Sequence, residues 1–251
     1  MRRILVWVVL IVVCGCGEER RSAARESTTQ APATTERDRP TEVEMVASME
    51  AHYGAVILAH DALLQGNLEQ FRSQLALVPE QELPPTSPEE WIPLHQRLQA
   101  AAREGAKASD LAPAANALAS VTLACGVCHA ALDTGPVYPA PAPADGADAA
   151  KTAMLDHQWV SERLWEGVTG PWDNAWERGA DALSVVRIFG DDDRAVSLSS
   201  DLLRREQEFR EIGEEAKTTT ALDERAALYG RLLSTCGECH QAAEVKFDQP
   251  K

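Results

Sequence analysis

Cys125-Gly126-Val127-Cys128-His129 and Cys236-Gly237-Glu238-Cys239-His240 are two copies of one word, Cys-x-x-Cys-His. Its parts have separate chemical tasks. Two thiols three residues apart can form thioethers with the two vinyl groups of one haem, and the histidine that follows can put a nitrogen on the iron. On a helix these three side chains leave one face. The word reads as a c-type haem attachment site, and its recurrence asks for two covalently bound haem c groups, each with its iron. Cys125, Cys128, Cys236 and Cys239 are then the thioether residues, and His129 and His240 the proximal axial ligands.

Outward from each word the pattern is helical. In the first segment, Glu44 to Gln65 carries Met45, Met49, Val56, Leu63 and Leu64 at helical spacing, and Gly66-Asn67 interrupts it. A short helix over Leu68 to Leu77 and a loop holding Pro79, Pro84 and Pro85 follow. Ser87-Pro88-Glu89-Glu90 reads as a capping box with proline at the first helical position, opening a helix that runs to Arg103. A fourth helix from Asp110 to Asp133 carries the first word near its end. The second segment reads as helices over 149–167, 171–187, 193–215 and 220–244, with Thr220-x-x-Asp223 capping the last. No stretch alternates as a strand does. The expected fold class is all-α: two tandem four-helix bundles, each with a haem word on its C-terminal helix.

The segments also repeat one another. The haem words are 111 residues apart, and a second shared word, Met49-x-x-His52 and Met154-x-x-His157, recurs at an offset of 105. His60 and His95 have no histidine counterpart in the second segment and read as surface or cap residues.

The N-terminus addresses the chain. Arg2 and Arg3 precede Ile4 to Val13, ten apolar residues that are too few to span a bilayer, and Val13-Cys14-Gly15-Cys16 follows. This resembles a bacterial lipoprotein signal over residues 1–15, with Cys16 as the lipidated residue; ordinary signal cleavage is the alternative. Residues 16–43 read as a disordered tether. Residues 44–133 and 148–245 are the two haem-binding bundles, joined by a Pro/Ala-rich linker over 134–147. The expected place is the periplasmic side of a bacterial membrane, held by the lipid alone. The formal charge is −15, and −17 once Arg2 and Arg3 are gone. So negative a chain argues against nucleic acid and anionic lipid, and suits a basic redox partner.

Helical segments of roughly 80 to 85 residues that end in Cys-x-x-Cys-His resemble the class II c-type cytochromes, the cytochrome c-prime group. The resemblance covers most of 44–133 and 148–245. It implies that the first helix of each bundle faces the haem side opposite the proximal histidine. His52 and His157 are then the distal axial candidates, with Met49 and Met154 as alternatives and an open iron as the third case. It also implies pairing of bundles, either within one chain or between two chains as a homodimer.

The expected function is electron transfer by an exported dihaem cytochrome, not an enzyme. The alternatives are haem-based binding or sensing of nitric oxide or carbon monoxide, and a dihaem peroxidase, which would need an open iron and acid–base groups above it. A single zinc site built from both Cys pairs is a further alternative. Trp159, Trp165, Trp172 and Trp176 suit either a haem wall or the core, and Arg163, Arg204, Arg205 and Arg210 either haem propionates or solvent.

Overall fold

Thr41 opens the first helix two residues before the position the apolar spacing suggests. Its hydroxyl accepts from the Glu44 N–H (3.3 Å), and the Glu44 carboxylate accepts from the Thr41 N–H (2.8 Å). This closes a capping box that satisfies two end donors at once. The computed structural model describes residues 40–136, 149–189 and 198–245, and all of them belong to one unit, Thr34–Lys251. The signal over 1–15, Cys16, the tether up to residue 39 and linker positions 137–147 lie outside the described residues.

Among the described residues there are eight α-helices and no strand. They are α1 (Glu42–Leu64), α2 (Leu68–Leu75), α3 (Ile92–Gly105), α4 (Leu111–Ala131), α5 (Ala149–Thr169), α6 (Asp173–Val185), α7 (Ser200–Ala216) and α8 (Leu222–Ala242). The break at Gly66 has a specific geometry. Gly66 takes φ 68°, its N–H reaches the Leu63 carbonyl (2.9 Å), and the Asn67 N–H reaches the Ala62 carbonyl (2.8 Å). This Schellman close needs a residue without a Cβ penalty at positive φ.

At three further starts the cap differs from the sequence reading. Pro88 is extended (φ −56°, ψ 144°) and makes no side-chain cap; a 3-10 turn over Glu89–Trp91 leads into α3, with Pro93 inside its first turn. The Ser87 hydroxyl is buried without a hydrogen-bond partner, so no capping box forms there. At α8 the N-cap is Ala221, which offers no side-chain oxygen, rather than Thr220. At α7 the cap is Ser199, whose hydroxyl accepts from the Leu202 N–H (3.3 Å), so the described helix begins at 200.

Within the first segment α1 packs on α2 and α4, and α3 on α4; within the second α5 packs on α6, α6 on α7, α7 on α8, and α8 returns to α5. Across the segments α4 packs on both α8 and α5, and α1 on α8. One apolar core contains residues of both segments, with Phe71, Leu75 and Leu118 from the first and Leu164, Trp176 and Tyr229 from the second almost wholly enclosed. Each such side chain contributes about 1.5–3 kcal/mol through burial. The α4–α8 crossing is close because small residues meet there: a Cβ on Gly230 would lie 3.0 Å from the Ala119 Cβ. α4 has a mean hydropathy of 1.6, as apolar as a membrane-crossing helix, and so is a second long apolar segment beside the N-terminal one. Its apolar faces are turned to α3, α5 and α8.

Candidate functional site

The first word sits in the last two turns of α4, beside a cavity of about 530 Å³. Cys125, Cys128 and His129 line it from α4, and Met49 and His52 from α1. His95 of α3 joins them, so it is not a surface residue. The size falls within the range of about 300–1,000 Å³ usual for small-molecule sites. Trp165 and Thr169 close another side although they belong to α5 of the second segment. Thr134, Gly135 and Pro136, the start of the linker, also line it, and the Trp172 indole N–H holds the Pro136 carbonyl at 3.0 Å.

His129 donates its Nδ1 hydrogen to the Thr169 carbonyl (2.5 Å). A carbonyl only accepts, so the hydrogen is on Nδ1 and Nε2 is left as the ring's lone-pair nitrogen. His52 is buried, with its Nε2 3.2 Å from Nε2 of His95 and the two rings edge to face at 5.2 Å. Its Nδ1 has no partner in hydrogen-bonding geometry, although the Ser48 and Gln81 main chains lie near enough to favour the charged ring.

The second word occupies the corresponding turns of α8. His240 donates its Nδ1 hydrogen to the Leu64 carbonyl (2.9 Å). His157, on α5, stacks on Phe209 of α7 with ring centroids 4.5 Å apart, and its Nε2 is buried without a partner. Met154 lies on α5, but its side chain is outside the described residues. Glu238, inside the word, is held by the Arg205 guanidinium and by the Ser234 hydroxyl (3.0 Å).

Burial dominates the electrostatics. It pushes the Cys125 and Cys236 thiols up to about 12, with the neighbouring Cys128 and Cys239 adding to the effect, so all are neutral thiols near neutral pH. The four described cysteines are not in disulfides. Burial, then the nearby His95, pulls His52 down to about 4; burial, then the nearby His240, does the same to His157. Above pH about 6.5 both rings are neutral in folded and unfolded chains, and nothing is gained or lost. As pH falls from about 6.5 to 4, the unfolded chain takes protons that the folded chain refuses, which lowers stability by up to about 3 kcal/mol for each ring. Urea unfolding of the haem-free chain at about pH 7.5 and 4.5 reads this, and His157→Leu should reduce the difference without abolishing it, because burial also lowers His52, His95 and His129. No reduction in that variant would show that the ring is not buried neutral.

The remaining sequence candidates divide. Trp176 is core, with its indole N–H on the Ala216 carbonyl (2.9 Å). Trp159 stacks under the guanidiniums of Arg163 and Arg178. Arg163 is buried in an ion pair with Glu166 (2.7 Å), Arg204 pairs with Asp201 at the surface, and Arg205 with Asp201 and Glu238. His60 is not a surface residue either. Its Nε2 lies 3.1 Å from the Tyr229 hydroxyl and its ring meets Trp165 edge to face at 5.3 Å, between the segments. One signal was present in the sequence: Trp165 stands 105 positions after His60, so the pair occupies matched sites of the repeat. Among the described residues no three His, Cys, Asp or Glu side chains converge as a metal cluster. Comparison with protein-family models, with curated proteins and with solved structures yields no match to this chain.

Proposed function

We propose that this protein is an exported dihaem c-type cytochrome that carries electrons, built as two four-helix bundles and tethered through a lipid on Cys16 to the periplasmic side of a bacterial membrane. The observation that carries the reading is the first cavity. Two neutral thiols and an imidazole with its Nε2 lone pair stand on one helix, a buried imidazole stands on another, and the space between is largely apolar. That donor set fits a flat apolar macrocycle fastened at one edge. The buried His157 Nε2 supports the same reading in the second segment, because a polar atom enclosed without a partner costs about 1–3 kcal/mol unless something binds it.

Bound haem would supply an iron that gains and loses one electron. The chain does the rest. Cys125 and Cys128, and likewise Cys236 and Cys239, would tether the group; His129 and His240 would each supply a nitrogen to an iron; Trp165 and the linker start, which line the first cavity, would cover part of the group. His52 and His157 are the proposed distal ligands, with Met49 and Met154 as alternatives. The acidic surface suits a basic redox partner. A second reading has one observation in its favour: His52 is already engaged by His95. An imidazole so held leaves the first iron open, as binding of nitric oxide or carbon monoxide requires.

Electron paramagnetic resonance of the ferric protein, with a pyridine haemochrome count, tests both readings. Two haems per chain with low-spin signals are expected, and His157→Ala should turn one of them high-spin. A first haem that is high-spin and takes up carbon monoxide would move that segment to gas binding. A chain without haem would end the proposal.

A further inference from the structure

Each haem word ends against the first helix of the other segment. His129 on α4 donates to the Thr169 carbonyl, which ends α5, and His240 on α8 donates to the Leu64 carbonyl, which ends α1. Leu64 and Thr169 are 105 positions apart, the offset of the Met-x-x-His word; the two histidines are 111 apart, the offset of the haem words. The same contact is therefore made twice, crosswise.

A second feature repeats with it. The first x of both words is glycine. A Cβ on Gly126 would collide with the Val168 carbonyl oxygen, and one on Gly237 would lie 3.0 Å from the Leu63 carbonyl oxygen. Val168 and Leu63 are again 105 apart. Haem attachment makes no demand on the x positions, so the two glycines are explained by the close backbone approach and not by the thioethers.

The acceptors have a physical reason to be there. The last turn of a helix leaves carbonyls without N–H partners and carries partial negative charge. In α1 the Schellman close occupies the carbonyls of Ala62 and Leu63 and passes over that of Leu64, which the His240 ring takes. An iron-bound histidine that gives its second N–H to a carbonyl is fixed in tautomer and ring angle, and is a stronger donor.

We infer that Leu64 and Thr169, through their main-chain carbonyls, are positioning residues for the axial histidine of the opposite segment, so that the two haem words are completed crosswise and neither segment holds a finished site of its own. The inference rests on the haem reading above. A stronger donor favours ferric iron and lowers the potential, so loss of either contact raises the potential of one haem.

The test uses the full-length holoprotein. In the wild type, the Nδ1 hydrogens of His129 and His240 are expected as slowly exchanging nuclear magnetic resonance signals. Fast exchange at both rings overturns the inference, without recourse to any variant. Gly126→Ala should abolish slow exchange at His129, lower amide protection at the end of α5, and raise one midpoint potential, with both haems still attached. Gly237→Ala should do the same at His240 and α1, less strongly. Potentials and exchange unchanged in Gly126→Ala also overturn it. The reading beneath fails separately: slow exchange at both rings in a chain with no haemochrome would remove the cytochrome and leave the cross-brace standing.

Discussion

Replacing Cys125 and Cys128 together with serine should leave one acid-acetone-resistant haem per chain where the proposed cytochrome would hold two. The same change at Cys236 and Cys239 should remove the other, and all four changes should remove both. The argument is covalent. Thioether-bound haem stays with the protein through acidic solvent, whereas haem held only by an axial nitrogen and apolar contacts does not. Serine keeps the size of the side chain, so α4 and α8 retain their packing, and the loss is read on chemistry and not on collapse. The buried thiols Cys125 and Cys236 lie in the same turns of the two C-terminal helices, so the two double variants should match each other in extent. A chain with either pair changed that still carries two resistant haems would refute the assignment of that word.

Removing Glu166 alone, as Glu166→Leu, should destabilise the protein by about 3–5 kcal/mol, because it leaves the Arg163 guanidinium buried and uncompensated. Both side chains are enclosed, at 4% and 7% exposure. Arg163→Met combined with Glu166→Leu should cost far less, near zero. Burial raises the Glu166 carboxyl above its ordinary value even with Arg163 opposing it, so desolvation outweighs the attraction within the pair. Urea midpoints of the single and double variants decide between these outcomes. Equal losses in both would mean that the pair is a net contributor to stability.

What could be seen in the sequence was what depends on near neighbours. Among the described residues eight helices appeared in the expected order although several starts moved, and Gly66-Asn67 ended α1 because a Schellman close involves only six consecutive residues. The Cys-x-x-Cys-His words are five residues long and needed no fold to be noticed. Local signals also misled. Ser87 and Thr220 had the right residues for caps, yet an extended Pro88 and a cap at Ala221 took the chain into α3 and α8 by other routes. A capping pattern states what a turn can do, and the packing of the helix it opens decides whether it does so.

The histidines divide along the same line. That His129 and His240 each follow a Cys-x-x-Cys is legible, whereas the atom that holds each ring is not. His129 meets a carbonyl 40 residues away and His240 one 176 residues away. His95 came to His52, and His60 to Tyr229 and Trp165, by the same long-range route. By itself the sequence determined an all-helical chain with two Cys-x-x-Cys-His words in a repeat. Only the tertiary structure decided that the words are braced crosswise, because a helix-end carbonyl is always available and the crossing of α4 with α5, and of α8 with α1, selects which ring reaches it.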